Sequence, residues 1–377
     1  MSIETLPLTG EIKGPMEFQR EVDRVLQGIK FKSWKPDSPH WRPGTEIPCT
    51  IRNYWMEGGG LGDKICFLPA FVYVAKNCGN ILGRIWVPDF MVELFKNIMD
   101  QTGNPEWKVF PSERFSQLWE RDTFVRGRGL KDAYGHENIQ YISGAGMHLV
   151  WVGFSDVLCK LPPPPGADVM PTIDFSKWWD QPNHPFAFNT ANKYVVFTTG
   201  AVWRSRDVPG EYWNPIIEHV KSKGLTPVFL GARKIPVPAN KSTINVKFSD
   251  RCNYGEGIDL RDKTTIMEAA WIMKNAACVV GLDNGLIQLA SLTDANIVCA
   301  YNVVDPVDRR PNRTAGRWRE IFLTKEELSC SGCMTNWPLT APPHDFKSCL
   351  YQDTKCIHML FQNQAERFTR AIDEILA

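Results

Sequence analysis

Residues 276–301 read AACVVGLDNGLIQLASLTDANIVCAY, and the reading of this stretch decides the fold. Residues 276–282 are an apolar run too short for an independent helix, so they read as a strand buried on both faces. Asp283-Asn284-Gly285 interrupts the run with turn residues. Leu286, Leu289, Ala290 and Leu292 then recur at helical spacing, and 296–301 is a second buried strand rich in β-branched residues. The result is a βαβ unit whose polar turn lies at the carboxyl end of its first strand, where open α/β sheets bind their ligands. The backbone N–H groups of Asn284, Gly285 and Leu286 open the helix without intrahelical partners, and with the helix dipole they suit a diphosphate. Gly285 permits close approach. The same residues equally describe an ordinary helix start capped by Asp283.

Working outward, βα alternation continues on both sides. Residues 194–198 read as a buried strand, followed by a loop over 199–210, a helix over 211–223 and a strand over 226–230. Within 259–275, Thr264 or Thr265 opens a helix and Glu268 stands at capping-box spacing, with ribose contact as its functional alternative. Nearer the start, 50–56 reads as a strand, 57–63 (EGGGLGD) as a glycine-rich turn and 64–76 as a helix. That turn is not a P-loop, because Lys64 is not followed by Ser or Thr, and it does not fit Gly-x-Gly-x-x-Gly. Asp63 reads either as a helix cap or as a carboxylate available for acid–base work. Strands at 84–88, 107–110 and 149–154 and a helix at 90–99 complete this front part. Arg126, Arg128, Lys131, His136 and His148 fall in a loop-like stretch without period, either solvated or facing an acceptor.

These patterns divide the chain into an extension (1–45), an N-terminal lobe (46–160), a proline-rich linker (161–192) and a C-terminal lobe (193–329). A cysteine segment (330–358) and an amphipathic terminal helix (359–377) follow. The chain's 377 residues suffice for two lobes with cores of their own. With 43 basic and 42 acidic residues, no global field draws the chain to nucleic acid or an anionic membrane. The start lacks an apolar segment of signal type and no run of about eighteen apolar residues occurs, so the expectation is a cytoplasmic protein without membrane insertion.

Four of the eleven cysteines cluster late, as Cys330-x-x-Cys333, Cys349 and Cys356. Such spacing in a loop-rich segment suits four thiolates around tetrahedral zinc or iron, and a cytoplasmic setting favours metal over disulfides. Four free thiols are the alternative.

Several of these segments together resemble family 9 glycosyltransferases, the ADP-heptose heptosyltransferases. Asp283-Asn284-Gly285-Leu286-Ile287-Gln288-Leu289-Ala290 is similar to that family's Asp-(Thr/Ser)-Gly-x-x-His-Leu-Ala, with Asn284 and Gln288 as departures, and 301–306 (YNVVDP) to its Tyr-Gly-Pro-Thr-Asp-Pro. Both replacements still form hydrogen bonds, but neither supplies positive charge. Leu61-Gly62-Asp63 with Leu68-Pro69-Ala70 resembles the first loop of the family, whose aspartate is taken as the base that deprotonates the acceptor. Residues 198–213 (TTGAVWRSRDVPGEYW) match at Gly200, Pro209 and Trp213, and Arg206 stands where the family has a lysine on the donor diphosphate, with Arg204 nearby. Residues 259–268 match its Asp-Leu-x-Gly-Lys-Thr-Ser-Leu-x-Glu segment, and 330–356 resembles the cysteine finger of the autotransporter heptosyltransferases, a branch reported to hold iron.

The resemblance implies a GT-B fold: α/β, two facing Rossmann-like lobes with a cleft between them, and a terminal helix returning to brace the first lobe. It implies transfer of a sugar, heptose-like or another hexose or pentose, from a nucleotide diphosphate donor (an ADP-sugar favoured) to an acceptor hydroxyl. Asp63 is then the general base. Gly62, Gly200, Arg204, Arg206, Glu268, Asp283, Asn284, Gly285 and Gln288 are the donor-binding candidates, and Cys330, Cys333, Cys349 and Cys356 are the metal ligands. The sequence contains no Asp-x-Asp, and this account requires no catalytic divalent metal. The acceptor is a glycan, a protein or a modified nucleic acid, and a homo-oligomer is compatible with all three. Two other readings remain: a transferase acting on a modified base in DNA, favoured by the basic loop 121–131, and a non-catalytic nucleotide-sugar-binding protein.

Overall fold

The structure, a computed structural model, describes residues 50–56, 60–77, 81–111, 171–179, 193–198, 206, 208–231, 257–310, 316–333 and 354–377. The extension 1–45, the strand expected at 149–154, the basic residues of 121–148, Gly200, Arg204 and Cys349 lie outside them.

The front part is a parallel sheet of three described strands, β1 (Thr50–Trp55), β2 (Ile81–Val87) and β3 (Lys108–Pro111), in that order. Between β1 and β2 the sequence predicts one helix over 64–76, but the chain forms two: α1 (Leu61–Ile65) and α2 (Leu68–Asn77). Pro69 explains the break. In a continuous helix its ring would meet the carbonyl of Ile65 and its missing N–H would leave that carbonyl unbonded. Restarting at Leu68 places Pro69 in the first turn, where no N–H is required. The interruption also leaves α1 as a separate short element carrying Gly62 and Asp63. A third helix, α3 (Val92–Asp100), buries Leu94, Phe95, Ile98 and Met99.

The rear sheet has six described strands, β4 (Tyr194–Thr198), β5 (Thr226–Leu230), β6 (Ile258–Asp259), β7 (Cys278–Leu282), β8 (Ile297–Tyr301) and β9 (Trp318–Phe322). They are all parallel and run in the order β6-β5-β4-β7-β8-β9. Every residue of β4, β7 and β8 is buried, which is why these segments lack alternation. Counted from β4 the order is third, second, first, fourth, fifth, sixth, the doubly wound arrangement of dinucleotide-binding folds. The chain reverses its direction of travel across the sheet between β4 and β7. A Cβ on Gly281 would lie 1.9 Å from Thr198 Oγ1, so only glycine lets these two strands pack at that point.

Helices α4 (Gly210–Ser222), α5 (Ile266–Lys274), α6 (Gly285–Ala290) and α7 (Ala365–Leu376) belong to the rear part. Trp213 of α4 is the centre of an aromatic cluster, with ring centroids 4.7 Å from Phe361, 6.0 Å from Phe197 and 6.1 Å from Phe368. Phe368, Ala371, Ile372 and Ile375 of α7 share that core. Each large side chain sequestered there contributes about 1.5–3 kcal/mol of transfer free energy. The described contacts of the terminal helix therefore seat it on the rear sheet, where the apolar surface is, whereas the resemblance predicts a brace on the front lobe.

One described piece of the proline-rich linker ties the two parts together. Asn97 of α3 donates from Nδ2 to the carbonyl of Asp174 at 2.6 Å, and its Oδ1 accepts the Asp174 N–H at 2.9 Å. Gln101 donates to the Thr172 carbonyl at 3.0 Å, while the neighbouring Ile173 N–H donates to the Leu292 carbonyl, just past α6, at 2.9 Å. Residues 172–174 thus bond to the front helix on one side and the rear lobe on the other. Among the described residues no helix is long and apolar enough to cross a membrane.

Candidate active site

At the switch point of the rear sheet, Asp283 follows the end of β7 and Arg206 comes from the loop after β4. Arg206 Nη1 lies 3.2 Å from Asp283 Oδ2 and 3.2 Å from its carbonyl oxygen, and both side chains are nearly withdrawn from solvent, at 13% and 5% exposure. Asp283 therefore does not cap α6. Asn284 does: its Oδ1 accepts from the N–H groups of Leu286 at 2.9 Å and Ile287 at 3.1 Å, and its Nδ2 reaches the Thr198 carbonyl at 3.3 Å. Asn284 has the extended backbone of an N-cap, so the helix starts one residue later than the Asp283 cap requires. Of the three N–H groups expected to await an anion, that of Leu286 is already taken.

Gly285 admits a close neighbour, but the neighbour here is the front lobe. A Cβ at this position would lie 2.7 Å from Leu61 Cβ and 3.0 Å from the Gly62 nitrogen. A Cβ on Gly62 would in turn lie 3.1 Å from Gln288 Cγ and 3.3 Å from Gly285 Cα. The starts of α1 and α6 pack glycine against glycine, and this brings Asp63 to the rear lobe.

Asp63 is held twice. Its Oδ2 accepts the Gly60 N–H at 2.8 Å, as a residue in the first turn of α1, and its Oδ1 accepts from Arg309 Nη1 at 3.1 Å. The cap and the available carboxylate are thus two oxygens of one side chain, which stays 39% exposed. Burial pushes the Asp63 carboxyl upward, but the Arg309 charge, the Gly60 N–H and the more distant Arg206 outweigh it, so the group sits below its ordinary range and is ionised at neutral pH. Arg309 is raised on balance: burial opposes its charge, and Asp63 and Asp283 more than restore it. Arg206 is lowered, burial outweighing the attraction of Asp283.

Arg309 was not legible as a site residue. It ends a helical turn, Pro306–Arg309, three residues beyond the YNVVDP motif, which is the one signal that points to it. Its backbone is fixed by Gln288, whose Nε2 donates to the Arg309 carbonyl at 2.7 Å, while Gln288 Oε1 faces Cys66 Sγ at 3.8 Å. Cys66 is a neutral thiol, pushed up to about 12 by burial. Lys64, also missed, is 4% exposed, and burial lowers its pKa against the pull of Asp63. Glu268 stands in its capping box: its carboxylate accepts the Thr265 N–H at 2.6 Å, and its own N–H donates to Thr265 Oγ1 at 3.2 Å.

Residues 165–330 match the family model of glycosyltransferase family 9 (heptosyltransferase). That stretch is similar to family 9 glycosyltransferase domains. The family 9 domain spans the whole rear sheet and includes Arg206, Asp283 and Arg309, whereas Asp63 lies outside it. Among solved structures, the heptosyltransferase TibC, described as dodecameric, iron-containing and in complex with ADP-D-beta-D-heptose, aligns with a TM-score of 0.60 at 14% identity, over 88% of this chain and 79% of its own. A second structure of TibC, from enterotoxigenic E. coli H10407, aligns at 0.57 with 16% identity, over 88% and 77%. A family 9 glycosyltransferase from Veillonella parvula DSM 2008 aligns at 0.57 with 12% identity, over 88% and 98%. No curated protein matches the sequence. The fold is α/β of the GT-B type, with parallel sheets carrying helices, and the chemistry to which the family 9 domain belongs is sugar transfer.

Near this domain's end, the Asn302 carbonyl accepts the Gly332 N–H at 3.1 Å and its Nδ2 donates to Cys356 Sγ at 3.6 Å, so Cys356 and the Cys330–Cys333 turn share one anchor. Among the described residues no group of three or more His, Cys, Asp or Glu side chains has metal-holding geometry.

Proposed function

We propose that the protein transfers a glycosyl group from a nucleotide diphosphate sugar to an acceptor hydroxyl, with Asp63 as general base. The observation that carries this reading is the convergence of an ionised carboxylate from the front lobe with two guanidinium groups at the switch point of a family 9 domain. In the reaction the acceptor oxygen bonds to the anomeric carbon and the bond from that carbon to the diphosphate breaks. The acceptor proton passes to Asp63, and the negative charge departs on the nucleoside diphosphate. Arg206, at the switch point beside Asn284 and Gly285, is the donor-side cation, and positive charge held there lowers the barrier as the leaving group forms. Gly62, Gly200, Arg204, Glu268, Asp283 and Gln288 remain donor-side candidates, Asp283 by holding Arg206. The TibC complex with ADP-D-beta-D-heptose supports an ADP-sugar as the first donor to try.

We infer also that Cys330, Cys333, Cys349 and Cys356 hold a structural zinc or iron ion. Their spacing, the shared anchor at Asn302 and the iron-containing TibC support this. Such a site closes its coordination with four thiolates and takes no part in the transfer. Elemental analysis of the purified protein tests it: about one metal per chain is expected, lost on replacing Cys333 and Cys356 with Ser. Localisation in the cytoplasm and a homo-oligomeric state belong to the same reading. The transfer itself is tested by incubating the protein with ADP-, UDP- and GDP-sugars and following melting temperature and release of nucleoside diphosphate, since a ligand bound by the native state alone raises the melting point.

A further inference from the structure

Two ion pairs meet at the junction of the lobes, Asp63 with Arg309 and Asp283 with Arg206. A guanidinium that exchanges its carboxylate for the ligand would supply uncompensated positive charge to a diphosphate. The two pairs are not equivalent. Arg206 donates to the backbone carbonyl of Asp283, and its guanidinium lies 3.2 Å from the Asp283 carboxylate in a nearly closed environment. Arg309 makes a single bond to a carboxylate that is 39% exposed and that keeps its second anchor, the Gly60 N–H, if the guanidinium leaves. Gln288 fixes the Arg309 backbone carbonyl and does not bond the guanidinium, and the Arg309 side chain is 18% exposed.

We propose that Arg309 is a diphosphate-binding residue that works as an exchangeable partner of Asp63: it holds the carboxylate while the site is empty and transfers to the donor diphosphate when the nucleotide sugar binds. This rests on the glycosyl-transfer reading and adds to it a reason for ordered use of the base. With Arg309 in place Asp63 is a weak proton acceptor, because the guanidinium stabilises its ionised form. When Arg309 departs, the largest of the influences that favour the ionised carboxylate is removed, so the affinity of Asp63 for a proton rises. The base is thus strengthened by the same event that loads the donor.

The test is a double-mutant cycle on the full-length protein, with ADP, UDP and GDP as probes in calorimetric titrations. Asp63→Asn removes the competing carboxylate, so it should bind the preferred diphosphate about tenfold more tightly than the native protein, while Arg309→Gln should bind it about tenfold more weakly. In the Arg309→Gln background, Asp63→Asn should change affinity by less than about twofold, because no guanidinium remains to be released. Arg309→Lys should recover part of the affinity, which a merely structural role would not require. If Asp63→Asn tightens binding equally with and without Arg309, or not at all, the exchange is refuted while donor binding stands. If no diphosphate binds either the native protein or Asp63→Asn, the glycosyl-transfer reading falls and the exchange with it.

Discussion

Arg309 Nη1 lies 3.1 Å from Asp63 Oδ1, although the two residues are 246 positions apart and belong to different lobes. The contact depends on two glycines, Gly62 and Gly285, meeting where α1 and α6 begin.

The pair has a signature in acid. The folded-state pKa of Asp63 is below its ordinary value of 3.8, so the pair contributes stability above about pH 4 that is lost as pH falls through the folded value. Melting temperatures measured from pH 6 to pH 3 should therefore decline more steeply for the native protein than for Asp63→Asn. Parallel curves would show that Asp63 is not held by Arg309 in solution.

Substitution at the glycine contact should separate the helices. Gly285→Ala places a methyl group 2.7 Å from Leu61 Cβ, and overpacking of this kind costs about 1–3 kcal/mol. Gly62→Ala meets Gln288 Cγ at 3.1 Å and Gly285 Cα at 3.3 Å, less severe overlaps, and should cost less. Denaturant midpoints should rank native above Gly62→Ala above Gly285→Ala.

Asp283→Ala removes the carboxylate 3.2 Å from Arg206, whose side chain is 13% exposed. Breaking a buried pair from one side costs about 3–5 kcal/mol, so this variant should be among the least stable of the site set by chemical denaturation. A loss under about 1 kcal/mol would mean that water replaces the carboxylate.

The strap at 172–174 is tested by Asn97→Ala, which removes both bonds to Asp174. A cost of about 1–3 kcal/mol is expected from two hydrogen bonds, together with faster amide exchange at Ile173 and Asp174.

Much of this architecture was legible from local pattern. The strands 194–198 and 226–230 and the βαβ unit around Asp283 declare themselves as uninterrupted apolar runs, because parallel strands covered on both faces need no alternation. Glu268 in a capping box was equally readable, since that interaction spans three residues. What local pattern does not contain is the encounter between distant segments. Arg309 looks like any surface cation until the fold delivers it to Asp63. Gly285 signals that something comes close, but not that Leu61 and Gly62 do. The Pro69 break was available in the sequence and was overridden by the helical spacing of Ile65, Leu68, Phe71, Val72 and Ala75, which continues across it.

The central claim is that Asp63 takes the acceptor proton at a site whose donor is held by the rear lobe. Nucleoside diphosphate release from the preferred nucleotide sugar, measured for the native protein and Asp63→Asn with donor affinity determined in parallel, tests it most directly. The account predicts that Asp63→Asn keeps or gains donor affinity and loses turnover by about 10²–10⁴-fold, the range expected for removal of a general base. Undiminished turnover in Asp63→Asn would contradict it.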